Sequence, residues 1–517
     1  MPGNCCRNPL KNSKTLIDNY FHDKLMVNDD MKITIITEGS SKIGFGHITR
    51  CLSIYQAFKE KGCSVKFIVN GDSTIRSLLD NTEHEIFNWL NDTSKLFESL
   101  KRTDIVIIDS YLADEELYTR ISESVSLSVY IDDNQRINYP KGIVVNGSIN
   151  AEKLNYPLSD EIEYLLGSQY IPLRHPFWDV GLKKINPSIN KVMVTFGGDD
   201  LRNLTPKTLE TLTTDFPNLK KTVIIGKGFE NVSVIEDLKD KQTELIYYPD
   251  AEKMFDVMFE SDIAISAAGQ TLYELARVGL PTIAIGVAHN QIHNLENWGE
   301  AGFVEVAGFW DDENLNHIIR EKIELLKDKK LRMEKCHNGR KSVKGQGAIK
   351  IVKHSLNHYY CGKISLRPLE YGDIDNIFEL SNEDEVRKYS FEQDKIRFED
   401  HRIWFKNKIE DSENLFLIIN IDEVFAGQVR FDFNGDSATI SISIKKPFRG
   451  LGLGNLLLEK SIHYLKIKFP YIKIIKAYIK ENNKKSLKLF ENMGFKHSQK
   501  VVIKNNDALE YLYKIRD

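Results

Sequence analysis

From Met31 onward, short apolar runs alternate with amphipathic stretches, and the alternation begins again near Lys191. In the first series, Ile33 to Ile36, Val65 to Val69, Ile105 to Ile108, Ser128 to Ile131 and Ile143 to Val145 read as strands. Between the first two, Cys51, Leu52, Tyr55 and Phe58 recur at helical spacing across Ile48 to Lys61, and Gly62 closes the stretch. Asn70-Gly71-Asp72 reads as a turn. The second series has strands at Val192 to Phe196, Thr222 to Ile225, Glu244 to Tyr247, Ile263 to Ser266 and Thr282 to Ile285, with a helix expected after Pro206. A strand apolar on both faces must be covered on both faces, so such strands interleaved with helices imply parallel sheets sandwiched by helices. Two series imply two doubly wound α/β halves, residues 31–180 and 181–357, with a crossover near Leu173 to Asn190. Ligands of such folds bind outside the carboxyl ends of the strands, which places the expected site in the cleft between the halves.

The pattern changes near Cys361. Ile364 to Leu369 reads as a strand, and Tyr371 to Ser381 and Phe398 to Lys408 read as helices. Leu415 to Ile419, Gln428 to Phe433 and Ala438 to Ile444 read as an antiparallel meander, followed by a glycine-rich turn and a long helix. This gives an α+β unit over residues 364–517, joined to the rest by a linker at 358–363. Residues 1–30 are polar and mixed in charge, without the apolar core of a signal peptide, and are expected to form a flexible extension.

A length of 517 residues suits about three domains. The formal net charge of -4 leaves no basic excess, which argues against nucleic acid as the principal partner. No apolar run approaches the ~18 residues of a membrane span, so no membrane association is expected. Cys5, Cys6, Cys51, Cys63, Cys336 and Cys361 show neither paired spacing nor neighbouring histidines at zinc-ligand spacing. They read as free thiols of a cytoplasmic protein, with no metal expected.

Arg449-Gly450-Leu451-Gly452-Leu453-Gly454 lies between the expected strand Ala438 to Ile444 and a helix at Leu456 to Phe469. Glycines there let backbone N–H groups approach a pyrophosphate, the helix adds its positive end, and Arg449 adds charge. Ile474 to Ile479 reads as a further strand, and the block Glu481 to Phe495 contains Asn483, Ser486, Leu489, Phe490 and Gly494-Phe495. With Leu366-Arg367-Pro368 and Asp373 upstream, this unit resembles the GNAT N-acetyltransferases. The resemblance implies acetyl-coenzyme A as substrate, contacted by Arg449, Gly450, Gly452, Gly454 and Asn483. It also implies direct transfer, with backbone N–H groups near Ile442 to Ile444 polarising the thioester carbonyl. Many relatives have a tyrosine at the place of Phe490 that protonates the leaving thiolate, which phenylalanine cannot do. Tyr478 is an alternative acid, although a strand tyrosine is more often core.

Three glycine clusters follow strands of the two halves. The first, Gly44-Phe45-Gly46-His47 with Arg50 after it, puts His47 at a helix amino terminus, where the positive helix end favours a neutral, basic imidazole able to accept a proton. The second is Phe196-Gly197-Gly198-Asp199, suited to phosphate. The third is Ala268-Gly269-Gln270-Thr271 with Glu274 one helical turn on, placed to accept hydrogen bonds from ribose hydroxyls. Ala288-His289-Asn290-Gln291 lies at the mouth of the same cleft.

Together with Asp109-Ser110-Tyr111, Ile131-Asp132-Asp133, Asn146, Leu165-Leu166-Gly167, Tyr170 and Leu173-Arg174, these clusters carry a second resemblance. Met31 to about Leu356 resembles the GT-B nucleotide-sugar enzymes, which have two Rossmann-like halves. Among them it resembles the PseG family of UDP-2,4-diacetamido-2,4,6-trideoxy-altropyranose hydrolases of pseudaminic acid synthesis. That resemblance implies His47 as the base acting on water, with Tyr111 and Asn290 lining the sugar site. Gly198, Gly269, Thr271 and Glu274 would hold UDP. Gly46, Arg50, Asp109 and Gln291 would complete the substrate-binding set, and Asp109 and Asp132 would orient neighbouring groups or cap strand ends. Ala268, Gln270 and His289 depart from the residues common in relatives. The last unit also resembles the PseH acetyltransferases, which act in the preceding step. The expectation is a bifunctional cytoplasmic enzyme that acetylates a UDP-4-amino sugar and then releases UDP from the product. The alternatives are a GT-B glycosyltransferase fused to an acetyltransferase, or a chain in which one half only binds a nucleotide-sugar.

Overall fold

In a computed structural model describing residues 31–40 and 44–515, the chain divides into two compact units, one from Met31 to Ser355 and one from Leu356 onward. The extension expected over residues 1–30 lies outside the described residues.

The first unit holds two parallel sheets. The first contains β1 (Lys32–Gly39), β2 (Ser64–Gly71), β3 (Glu83–Ile86), β4 (Ile105–Asp109), β5 (Leu127–Ile131), β6 (Gly142–Asn146) and β7 (Ile162–Leu166), in the order β3-β2-β1-β4-β5-β6-β7. The second contains β8 (Lys191–Thr195), β9 (Lys220–Ile225), β10 (Thr243–Tyr247), β11 (Ile263–Ala267), β12 (Thr282–Gly286) and β13 (Val304–Phe309), in the order β10-β9-β8-β11-β12-β13. Both orders reverse direction beside their first strand, as in Rossmann folds, and open a crevice at the carboxyl ends of β1/β4 and β8/β11. The doubly wound halves expected from the sequence are present. Strands β4 and β11 are buried along their whole length because their apolar runs meet helices on both faces.

Three edge strands, β3, β7 and β13, were not among the expected ones. Each is half-exposed and mixed in polarity, so it lacks the continuous apolar signal of a central strand. Asn70 and Gly71 belong to β2, paired with Glu38 and Gly39, so the turn begins at Asp72. A side chain at Gly71 would strike the Gly39 carbonyl, which is why glycine serves inside this strand.

Helix α1 (Gly46–Lys59) follows β1, and α2 (Leu204–Asp215) starts before Pro206 rather than after it. The Asp200 carboxylate accepts from the N–H groups of Leu204 and Thr205 at 2.9 and 2.8 Å. Pro206 falls in the first turn, where a missing N–H costs nothing. Helix α3 (Thr271–Val278) follows β11. Helix α4 (Gly347–Cys361) returns to the first half, where His354 Nδ1 lies 2.8 Å from Glu163 and Lys350 bonds Gln169. The residues expected to be a linker are mostly helical: 358–361 are the last turn of α4, because Val352, Leu356 and Tyr360 continue one buried stripe at four-residue spacing.

The second unit is a mixed sheet of β14 (Ile364–Pro368), β15 (Asn414–Ile421), β16 (Val424–Asn434), β17 (Ser437–Ile444), β18 (Ile474–Lys480), β19 (Lys496–Ile503) and β20 (Asn506–Lys514). The order is β14-β15-β16-β17-β18-β20-β19. Helix α5 (Gly454–Lys468) follows the glycine turn, and α6 (Lys484–Asn492) follows β18. The hairpin β19–β20 is additional to the expected strands, its outer strand being charged and largely exposed. Strands β17 and β18 run parallel but pair only from Ser437–Thr439 to Ile474–Lys476, and then diverge. Among the described residues, no helix is long and apolar enough to cross a membrane.

Candidate active sites

In the first half, β1 and β4 are adjacent and Thr37 pairs with Asp109, so Asp109 closes β4 directly beside the start of α1. His47 and Arg50 are three residues apart on α1 and therefore share a face. Both reach Asp109. His47 Nδ1 lies 2.6 Å from Oδ1, while Arg50 donates from Nη2 to Oδ1 at 2.7 Å and from Nε to Oδ2 at 2.5 Å. The far side of the guanidinium meets Asp133, which follows β5, with Nη1 at 2.8 Å from both carboxylate oxygens. The Tyr111 hydroxyl also donates to Asp133, and the Tyr111 ring stands edge-on to His47 with centroids 4.6 Å apart.

The electrostatics follow from this geometry. Burial alone would raise the pKa of Asp109, but Arg50 and then His47 outweigh it and hold the carboxyl well below the usual range. Burial opposes the charge on Arg50, and Asp109 and Asp133 more than restore it. Burial, then Asp133, pushes the Tyr111 phenol well above its ordinary value, so it keeps its proton. A carboxylate can only accept, so the 2.6 Å contact puts a hydrogen on His47 Nδ1, which also lies 3.2 Å from Arg50 Nη2, and in that tautomer Nε2 holds the ring's lone pair. The imidazole is oriented by a buried carboxylate.

Two members of this cluster carry no role in the sequence reading. Asp133 joins Arg50 to Tyr111, whereas its neighbour Asp132 turns inward and accepts from the Gln135 N–H at 2.8 Å and from the Tyr156 hydroxyl. Glu38, fully buried at the end of β1, accepts from the Tyr111 N–H at 2.7 Å and from Ser110 Oγ at 2.5 Å, and so fixes the loop that presents Tyr111. Two consecutive acids after a strand must point to opposite sides, which is the signal that one of them faces outward.

In the second half, β8, β11 and β12 are neighbours, so the turns after them lie side by side. Gly198 faces the first half: a Cβ there would lie 3.6 Å from the ring of Phe45, which precedes Gly46 and His47. Gly269 faces Gln291 in the same way, and Gln291 Oε1 accepts from the Val287 N–H at 3.1 Å. Thr271 opens α3, and Asn290 is exposed in the short turn His289–Gln291. Glu274 is paired within the unit. Arg174 grips both its oxygens, Nε at 2.7 Å and Nη2 at 2.6 Å, so a ribose would meet an already neutralised carboxylate.

In the second unit, Gly450 and Gly452 have φ of 76° and 87°, a left-handed conformation that favours glycine, and Gly454 begins α5. The turn therefore holds its backbone as a phosphate cradle would need. Arg449 is paired within the unit. Its Nη2 lies 2.5 Å from Glu383, its Nη1 3.2 Å from Glu385, and its Nε donates to the Ile444 carbonyl at 2.6 Å, so its charge is already matched. Asn483 caps α6 by accepting from the Ser486 N–H at 3.2 Å, which leaves its amide NH2 for another partner. Phe490 is buried edge-to-face against Phe495. The Tyr478 hydroxyl donates to Glu510 at 3.1 Å, and burial, then Glu510, raises its pKa.

The first unit is thus a GT-B-type pair of Rossmann-ordered halves with His47 held by Asp109 at the carboxyl ends of the strands, and the second is a GNAT-type domain with diverging strands behind a glycine turn. Residues 192–352 match the glycosyltransferase family 28 C-terminal domain, and residues 363–496 match the acetyltransferase (GNAT) domain. The chain is 25% identical over 494 residues to an uncharacterized protein of Methanocaldococcus jannaschii, covering 91% of this chain and 98% of that one. It is 26% identical over 266 residues to the pseudaminic acid cytidylyltransferase and UDP-2,4-diacetamido-2,4,6-trideoxy-beta-L-altropyranose hydrolase of Helicobacter pylori, covering 51% of this chain and 46% of that one. It is 26% identical over 126 residues to the acetyltransferase PseH of Campylobacter jejuni, covering 24% of this chain and 76% of that one. The chain therefore resembles a PseG-like UDP-sugar hydrolase joined to a PseH-like acetyltransferase, and the Helicobacter pylori and Campylobacter jejuni relatives are named as enzymes.

Proposed function

We propose that the chain is a bifunctional cytoplasmic enzyme of pseudaminic acid synthesis. Its GNAT-type unit acetylates the amine of a UDP-4-amino-4,6-dideoxy-N-acetyl sugar. Its GT-B-type unit hydrolyses the resulting UDP-2,4-diacetamido-2,4,6-trideoxy sugar to free sugar and UDP. The observation that carries the reading is the His47–Asp109 pair, locked by Arg50 and Asp133 at the switch point and set opposite the turn at Gly198.

In the hydrolytic step, His47 Nε2 takes a proton from water as the water oxygen attacks the anomeric carbon. The anomeric C–O bond breaks, and its electron pair leaves with UDP. Asp109 stabilises the imidazolium that forms, as the buried acid of a catalytic triad does. Tyr111 and Asn290 line the sugar, and Gly198, Gly269, Thr271, Glu274 and Gln291 receive the nucleotide. In the acetyl step, the amine nitrogen attacks the thioester carbon, the C–S bond breaks with its electron pair leaving on sulfur, and the proton that the amine gives up balances the one that the thiolate takes. The Gly450–Gly454 turn and Asn483 hold acetyl-coenzyme A, and the freed edge of β17 polarises the carbonyl.

The test is UDP release from the 4-amino and 4-acetamido UDP-sugars, with and without acetyl-coenzyme A. The amino sugar is expected to release UDP efficiently only with acetyl-coenzyme A present. His47→Ala is expected to slow release by about 10²–10⁴-fold while acetylation persists. Acetylation without any UDP release unless a sugar acceptor is added would make the first unit a transferase instead.

A further inference from the structure

Among the described residues, the buried cations of the chain are Arg50, Lys221, Arg277, Arg332, Lys335 and Lys480. Five have partners. Arg50 binds Asp109 and Asp133, and Lys221 binds Asp240. Lys335 binds Glu305, and Arg277 and Arg332 donate to backbone carbonyls. Lys480 is the exception. It is 6% exposed, and its Nζ has no hydrogen-bond partner among the described residues. A buried ammonium without a partner is costly, and natural structures keep one where something else supplies the counter-charge.

Its position says what that is. Lys480 ends β18, four residues beyond the last pair with β17, so it lies where the two strands have separated. Side chains alternate along a strand, which puts Lys480 on the same face as Tyr478. Across the ladder it faces Ala508, a small residue. Phe391 covers the Nζ, with its ring centroid 5.9 Å away, near the outer limit of a cation–π contact. Phe391 belongs to the segment between the helices Asp384–Tyr389 and Phe398–Glu410, and its carbonyl is tied to Asn506 Nδ2 at 2.9 Å. An anion reaching Lys480 therefore displaces a phenyl ring and no hydrogen bond to the lysine. Burial also pulls the lysine pKa down, the direction that an arriving anion would reverse. Arg449, the cation that the sequence marks for phosphate, is already matched by Glu383 and Glu385.

We propose that Lys480 is the anion-recognition residue of the acceptor side of the GNAT-type unit, selecting an amine that carries a phosphate, as a nucleotide-linked amino sugar does, over a neutral or polycationic amine. This rests on the acetyl-transfer reading above and adds to it the residue that reads the acceptor's charge. Lys480 touches the acceptor away from the reacting amine, so its effect belongs in KM.

The experiment uses the full chain and compares acetylation of a UDP-linked 4-amino sugar with that of the same amino sugar as its methyl glycoside, in wild type, Lys480→Met and Lys480→Arg. For Lys480→Met, the ratio of kcat/KM for the UDP-linked over the nucleotide-free acceptor is expected to fall at least ~10-fold, the scale of one charge-assisted hydrogen bond, through a raised KM. Lys480→Arg restores part of it. Lys480→Met should also melt no lower than wild type, because it removes an unmatched buried charge. An unchanged ratio with an active wild type, or a Lys480→Met variant that melts lower, overturns the inference and leaves the acetyl-transfer reading standing. A wild type that acetylates polyamines or the methyl glycoside but not the UDP-linked sugar sinks both.

Discussion

Around His47 the charges are closed on themselves. Asp109 takes His47 and Arg50, Arg50 takes Asp133, and Asp133 takes the Tyr111 hydroxyl. In the second unit the turn at Gly450 and Gly452 is instead shaped by two positive φ angles, β17 and β18 diverge, and the ammonium of Lys480 has no hydrogen-bond partner among the described residues. The difference matches what the two proposed reactions need. Water is a poor nucleophile, and making it attack requires a base whose tautomer and orientation are fixed in advance. An activated thioester and a neutral amine need chiefly to be held in line, with donors aimed at the carbonyl oxygen. One site is built by side-chain electrostatics and the other by chain geometry.

The comparison breaks most sharply at Asp109. Asp109→Asn removes the charge that fixes His47 and half of the charge that matches Arg50. UDP release should fall by about 10²–10⁴-fold with acetylation intact, by analogy with the buried acid of a triad. The wild-type carboxylate has a folded pKa below its unfolded value. Its contribution to stability is therefore complete above the ordinary value of ~3.9 and is lost as pH falls through the lower folded value. An acid-unfolding midpoint that does not move in Asp109→Asn would show that the network is not stabilising.

At the other site the break is conformational. No atom lies within 4 Å of a Cβ added at Gly450, so Gly450→Ala tests the φ of 76° alone. A strain of about 1–2 kcal/mol should raise the KM for acetyl-coenzyme A by roughly tenfold and leave UDP release from the 4-acetamido sugar unaltered. A change in UDP release would mean that the two activities are not separable.

Tyr478→Phe sharpens the contrast. The hydroxyl is already committed to Glu510, so acetyl transfer is expected to drop by no more than about threefold in kcat. A loss near ~10²-fold would make Tyr478 the acid that Phe490 cannot be, and the second site would then depend on side-chain chemistry as the first does.

The smallest effect concerns a cation away from both sites. Burial pulls the pKa of Lys183 down to about 8 while its ammonium donates to the Met258 and Phe259 carbonyls. The unfolded chain holds this proton up to the ordinary value of ~10.4, so wild-type stability gains from Lys183 as pH rises from about 8 to that value. Urea midpoints of wild type and Lys183→Met should shift in favour of wild type between those limits. A constant difference would mean that the lysine titrates normally.

Much of the molecule is written locally. Central strands announce themselves by apolar runs, α1 by its helical spacing, and the cradles by glycines that few other residues could replace, because backbone conformation and two-sided burial depend on near neighbours in the chain. The edge strands β3, β7 and β13 were hidden for the same reason, since half-exposed strands carry little of that signal. What only the tertiary structure decided is the pairing of charge. Nothing near Glu274 in sequence says that Arg174 occupies it, nothing near Arg449 says that Glu383 and Glu385 do, and nothing near Lys480 says that its ammonium finds no hydrogen-bond partner among the described residues. Asp133 was visible in the sequence as a residue, but its link between Arg50 and Tyr111 arises only because β5 lies beside β4. Coulombic partners are chosen across the fold at distances of a few ångströms, and sequence separation carries almost no information about which charges will meet.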